Sequence, residues 1–172
     1  PVKLDLVIEE VLLLLKHELT RSKTNVKIEI EEDLPHVFLD MSKFEQVIIN
    51  LVINAVHAMN GTAKNELLIR GRSERIKDVV KNQGARKYEV FRDGDRVVIL
   101  DIIDNGSGID KGHANRLFDP FFTTKATGVG TGLGLSVAKK IVALHGGSLT
   151  LENREDGKGA RARLILPTQI DS

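Results

Sequence analysis

Residues Val97 to Ile103 form an apolar run, broken only by Asp101, that ends in Asp104-Asn105-Gly106-Ser107-Gly108. Such a run reads as a buried central strand, and a buried strand needs a layer packed over it. The segment that follows does more than turn. A carboxylate at the mouth of a buried strand can accept from an amine, and glycines let backbone approach a ligand. A second cluster, Gly128-Val129-Gly130-Thr131-Gly132-Leu133-Gly134, opens a helix whose free N–H groups suit phosphate. Upstream, Asn50 and Asn54 lie one turn apart on a long amphipathic segment, where their side-chain oxygens can hold Mg²⁺ over those phosphates. Together these residues describe a nucleotide site. They contain neither a G-x-x-x-x-G-K-[ST] loop nor a G-x-G-x-x-G fingerprint, which sets aside the commonest nucleotide folds.

Periodicity places the motifs. Asp5 is expected to cap a helix running to about Ser22, with Ile8, Val11, Leu12, Leu15 and Leu19 buried. Val26, Ile28 and Ile30 alternate with charged residues as a half-buried strand that stops at Asp33-Leu34-Pro35. A capping box, Ser42-x-x-Glu45, is expected to start the next helix. That helix turns Phe44, Val47, Ile48, Leu51, Val52, Ala55 and Met59 to the core and Gln46, Asn50, Asn54 and His57 to another stripe. Strands are predicted near Leu67 to Arg70 and over Val97 to Ile103, and a helix over Leu133 to Leu144 that ends at Gly146-Gly147. Ser148 to Glu152 and Arg161 to Leu166 read as a hairpin around Asp156-Gly157-Lys158-Gly159. Arg86 to Arg92 can pair with the strand after Asp93-Gly94.

The order of these motifs resembles the catalytic and ATP-binding domain of sensor histidine kinases. Their superfamily also holds type II topoisomerases, MutL-type repair proteins and ATP-driven chaperones. The likeness runs from the helix after Asp5, through Phe44-Glu45-Gln46-Val47-Ile48-Ile49-Asn50-Leu51-Val52-Ile53-Asn54-Ala55 and Leu117-Phe118-Asp119-Pro120-Phe121-Phe122-Thr123-Thr124-Lys125, to the strand ending at Pro167. Asn54-Ala55-Val56-His57-Ala58-Met59 looks most like the nitrogen-regulation branch. The resemblance implies a Bergerat-type ATP-binding fold: α/β, an α+β two-layer sandwich whose mixed β-sheet is covered on one face by helices. Residues 1–172 then make one catalytic domain, with 71–96 a hairpin extension or insertion and 117–131 an ATP lid.

It also implies roles. The aspartate matching Asp104 accepts from the adenine amine, the position of Asn54 binds the bridging Mg²⁺, and that of Asn50 lines the same site. Gly106, Gly108, Phe118, Thr124, Lys125, Gly130, Thr131, Gly132, Leu133 and Gly134 complete the ATP-binding set. Phe118, Phe121 and Phe122 read equally as lid residues and as core aromatics, and Lys125 as a γ-phosphate contact or a solvated lysine. His57 reads as a phosphate contact or as a structural residue at the site's edge. ATP-hydrolysing relatives carry a glutamate base where Asn50 stands, so the amide argues for transfer to a protein acceptor. That acceptor is a histidine on a dimerisation domain of the same full-length protein, and a response-regulator receiver domain follows. A serine-directed kinase of the same superfamily and a silent nucleotide-binding module are the rivals.

His17-Glu18-Leu19 copies the acceptor motif's first letters but continues as Thr20-Arg21-Ser22, on a scaffold helix, and reads as a surface histidine. His145 sits in a last helical turn, where an imidazolium favours the dipole, a structural role. A net charge of +1 gives no electrostatic case for nucleic acid or for membrane contact, and residues 71–96 read as a solvated mixed-charge face. The absence of cysteine suits a cytoplasmic location, and the longest apolar run, Val11 to Leu15, falls far short of a membrane span. A start at Pro1 suggests a longer, anchored protein.

Overall fold

The computed structural model describes residues 1–77, 91–123 and 134–168. Leu4, Val7, Ile8 and Val11 recur at helical spacing and form the buried stripe of α1 (Leu4–Leu14). The helix does not run on to Ser22. It breaks at Leu15 and resumes as α2 (Lys16–Arg21), because five consecutive apolar residues cannot share one face. Leu13 and Leu14 stay 71% and 66% exposed, whereas Leu19 beyond the break is buried. Asp5 is not the cap either: Lys3 holds that position, and Asp5 sits in the first turn with Oδ1 accepting the N–H of Leu6.

α3 (Met41–Ala58) starts before the expected capping box. Asp40 is the N-cap, its Oδ1 accepting the Lys43 N–H at 3.0 Å, so Ser42 lies within the first turn. The apolar stripe is as read, with Phe44, Val47, Ile48, Leu51, Val52, Ala55 and Met59 all buried. It lies on a five-stranded sheet made of β1 (Thr24–Ile30), β2 (Asn65–Arg75), β3 (Arg96–Asp104), β4 (Ser148–Asn153) and β5 (Ala160–Pro167), in the order β1-β2-β3-β5-β4. β1 and β2 are parallel and the other pairs antiparallel, which makes the sheet mixed. Leu67 and Ile69, Val98, Leu100 and Ile102, and Leu164 and Leu166 meet α1, α3 and α4 (Gly134–Leu144) in one core.

α4 stops where Gly146 takes φ +71°. The neighbouring His145 is structural. Its Nε2 accepts the backbone N–H of Asp40 at 3.1 Å, so the ring proton belongs on Nδ1, which donates to the Ile141 carbonyl at 2.8 Å. The ring thus ties the end of α4 to the start of α3.

The face of the sheet away from the helices is only partly solvated. Phe91, Val97, Ile99 and Ile165 form a second small core, with Ile76 against it. β2 continues to Arg75 and pairs with the first half of β3. Arg92 to Asp95 is a turn, closed by Asp95 N–H to the Arg92 carbonyl, and residues 86–90 lie outside the described residues. Next to this small core, Asp101 is 2% exposed between two arginines. Arg163 holds it in a fork at 2.7 and 2.8 Å, and Arg72 donates at 3.0 Å. Burial alone would raise the Asp101 carboxyl, but the hydrogen bonds and charge of Arg163 and Arg72 outweigh it and hold the group below its ordinary value.

Because the folded carboxyl titrates below the unfolded one, whose pKa is about 3.9, its contribution to stability is complete above that pH and is lost as pH falls through the folded value. Asp101→Ala is expected to lower the unfolding free energy at pH 7 by about 3 kcal/mol, since it removes a buried carboxylate that accepts three guanidinium hydrogen bonds. Urea denaturation from pH 7 down to pH 2 checks both the size of the loss and its narrowing in acid.

Candidate functional site

The cleft-facing stripe of α3, the end of β3 and the first turn of α4 enclose a cavity of about 590 Å³. α3 supplies Asn50, Asn54, His57 and Ala58, spaced so that one side of the helix faces the cavity while the other fills the core. Its apolar walls come from Ile102, Leu151, Ala160 and Ala162. At its base stands Asp104, 5% exposed.

Asp104 is held in place by backbone. Oδ1 accepts the N–H of Gly106 at 2.8 Å and of Ala160 at 3.3 Å, and among the described residues Oδ2 accepts none. Burial pushes its carboxyl up, against the opposing pull of those two N–H groups and of Arg154. Asn105 secures the next step of the chain, accepting from Glu66 N–H at 2.9 Å and donating to the Lys64 carbonyl at 2.7 Å. Ser107 N–H then reaches the Ala58 carbonyl at the end of α3. The protein itself requires a glycine at 106, because a Cβ there would collide with that same carbonyl. Gly108 has φ +76°, a conformation that favours glycine.

Opposite, the phenylalanine segment divides its work. Leu117, Phe122 and Thr123 line the cavity, and the ring of Phe122 lies beside His113 and under the Arg116 guanidinium, 4.6 Å away. Phe118 is not in the lining. It packs on the core beneath Lys139, whose ammonium is 4.4 Å from the ring centre. Phe121 is 75% exposed with φ +65°, a strained conformation for a bulky residue. Gly134 lines the cavity at the start of α4, and its carbonyl accepts from Asn50 Nδ2 at 3.2 Å. Thr124, Lys125, Gly130, Thr131, Gly132 and Leu133 lie outside the described residues. His17 is exposed on α2 and does not line the cavity.

Sequence reasoning assigned no role to Asn105, Ser107, Ile109 and Ala160. Ser107 sits inside the glycine cluster and could have been read there. Ala160 could not, since only the β3–β5 ladder brings its N–H to Asp104.

An apolar slot with an acidic acceptor at its base fits a flat heterocycle that bears an amine. The amides of Asn50 and Asn54 line the same cavity and suit a charged tail. No helix among the described residues is long and apolar enough to cross a membrane.

Known proteins share this arrangement. The family described as histidine kinase-, DNA gyrase B-, and HSP90-like ATPase matches residues 39–170. Signal transduction histidine-protein kinase AtoS of Escherichia coli (strain K12) is 31% identical over 166 residues, a match covering 96% of this chain and 23% of AtoS. Nitrogen regulation protein NtrY of Azorhizobium caulinodans is 34% identical over 141 residues, covering 82% of this chain and 16% of NtrY. The chain therefore spans less than a quarter of either relative. The nucleotide-free catalytic domain of histidine kinase ThkA superposes with a TM-score of 0.71 at 28% identity, covering 96% of this chain and 94% of that domain. ThkA in complex with the response regulator protein TrrA superposes at 0.69 with 25% identity, over 98% of this chain and 41% of that one. By the extent of the family match and the fold it shares with ThkA, this chain belongs to the histidine kinase-, DNA gyrase B- and HSP90-like ATPases, in their sensor histidine kinase branch.

Proposed function

We propose that the chain binds Mg²⁺·ATP in this cavity and passes the γ-phosphoryl group to a histidine on a separate dimerisation and phosphoacceptor domain of the same full-length protein. The observation that carries this reading is the half-used carboxylate of Asp104, with one oxygen committed to backbone and the other left for an adenine amine. Its burial strengthens that acceptor by excluding water. A receiver domain of a response regulator takes the phosphoryl group next, a partner suggested by the ThkA complex with TrrA, and the cytoplasm is where the three meet.

The donor chemistry of the cavity fits the metal. No group of three or more His, Cys, Asp or Glu among the described residues could cage an ion. Mg²⁺ suits such a site, since it is commonly held by phosphate oxygens, water and one or two protein oxygens, and it would neutralise charge on the phosphates. Asn54 supplies the protein oxygen. Asn50, with its nitrogen engaged by Gly134, offers its own oxygen beside it. His57 stands next to them at the phosphate end. In the transfer, the bond from the γ-phosphorus to the β–γ bridging oxygen breaks, its electron pair leaves with ADP, and a new bond forms to an imidazole nitrogen. Attack by water lacks a carboxylate base among the described lining residues, since Asp104 is the one carboxylate there and is assigned to the adenine end. Thr124, Lys125, Gly130, Thr131, Gly132 and Leu133 are assigned to the lid and phosphates on their motif alone.

Asp104→Asn is expected to weaken ATP binding about tenfold or more, the loss of one charge-assisted hydrogen bond. The same change should raise the melting temperature of the nucleotide-free chain. A carboxyl raised by burial favours the fold below its unfolded pKa and loses that advantage as pH rises through the folded value, so the ionised group is a cost at pH 7. Calorimetric titration and thermal melts measure the two opposite effects, and unchanged affinity would remove adenine recognition from Asp104.

Asn54→Ala should retain nucleotide binding yet cut transfer to a supplied acceptor domain by orders of magnitude, with Asn50→Ala less affected. Near-normal transfer by a folded Asn54→Ala chain would exclude Asn54 as the metal ligand. Incubation of the isolated chain with labelled ATP should leave no acid-labile phosphate on His17, and label there would overturn the separate-acceptor reading.

A further inference from the structure

The turn between β4 and β5 reaches back to both ends of the Asp104 loop. At the first end, Ala160 N–H meets the Asp104 carboxylate, and Arg154 Nη1 donates to the Asp104 carbonyl at 3.3 Å. At the far end, one side chain satisfies a whole peptide residue. Asn153 Oδ1 accepts the Ile109 N–H at 2.6 Å, while its Nδ2 donates to the Ile109 carbonyl at 2.9 Å. Because the Ile109 nitrogen can only donate, the amide's orientation is fixed by its partners. An acceptor and a donor on two separate atoms are needed, and Asn is the shortest side chain that offers them.

Gly108 is shaped to this contact. A Cβ there would come within 2.7 Å of Asn153 Oδ1, so the glycine next to Ile109 makes room for the amide. Ile109 in turn lines the cavity, and Asn153 faces Ala160 in the β4–β5 ladder. The backbone pair and the side-chain fork therefore join the two walls that flank the adenine end. Asn153 does not line the cavity itself.

We infer that Asn153 is a positioning residue for nucleotide recognition: by holding Ile109 and Gly108 against the β4–β5 turn, it fixes the loop that aims Asp104 and so sets affinity and preference for adenine. This inference rests on the assignment of the Asp104 end of the cavity to adenine. It adds a residue that never touches the nucleotide.

The test titrates the chain with MgATP, MgADP and MgGTP by calorimetry, well below the melting temperature, for Asn153→Ala, Asn153→Asp and Asp104→Asn. Two lost hydrogen bonds in Asn153→Ala should raise Kd for ATP about tenfold. ADP should lose by the same factor, because the γ-phosphate is bound elsewhere, and the preference for ATP over GTP should narrow. Asn153→Asp keeps the acceptor for Ile109 N–H and lacks the donor, so its loss should be intermediate; it decides the matter if the alanine variant does not fold. In a kinase assay with a supplied acceptor domain, the defect should appear in KM for ATP and not in kcat. A lower melting temperature with Kd and the ATP-to-GTP ratio unchanged would make Asn153 merely structural and overturn the inference, as would a loss confined to ATP. If Asp104→Asn also binds normally, the adenine assignment itself fails; if Asp104→Asn alone is weakened, only the role of Asn153 does.

Discussion

The seating of α3 on the inner face of β2 and β3 is the contact on which the other elements depend. α1 and α4 both pack on α3, and the glycine loop after β3 hangs from its last carbonyl, that of Ala58. One helix thus serves as core and as wall of the site, and it can do so because its apolar and amide stripes are kept on separate sides. A change that rotated α3 would spoil stability and chemistry together. The cap at Asp40 and the bond its N–H donates to His145 fix the start of the helix, and Asn50 to Gly134 links its middle to the start of α4.

Two aspartates three residues apart on β3 show how surroundings divide identical side chains. Asp101 and Asp104 are both nearly inaccessible, but the strand's alternation points them to opposite faces. Asp101 meets two guanidinium groups and is held below its ordinary pKa, a fixed anion in a structural cluster. Asp104 meets backbone N–H groups and a largely apolar slot, and burial drives it up. The first spends its charge inside the protein, and the second keeps an oxygen for something else.

Legibility in the sequence followed the range of the interaction. The α3 stripe, the central strand and the Asp104 turn rest on spacing within one segment, and they were readable. The cap was misplaced because Ser42-x-x-Glu45 satisfies the capping pattern equally well, and only Val37 and His145, joined from elsewhere in the fold, draw the start back to Asp40. The break at Leu15 was hidden because a leucine run scores as helix whether or not all its members find cover. Ala160, Asn105 and Asn153 were invisible for a different reason: each contact has a backbone group as one partner, brought near by the sheet, and backbone partners leave no trace in residue identity. The outer-face cluster of Asp101 with Arg72 and Arg163 spans three strands and was lost in the same way.

The ladder between β2 and β3 does not simply run out. Ile76 N–H donates to the Asp95 carbonyl and Gly94 N–H to that of Ile76, both at 2.8 Å, so the chain leaves and re-enters the sheet through a closed neck. A neck of this kind separates the register of the strands from the length of whatever lies between them. Doubling the span beyond it costs only about 0.6 kcal/mol in loop entropy. The neck at Ile76 and Gly94 accordingly insulates the strands, and the cavity on the other side of the sheet, from a change of length beyond it.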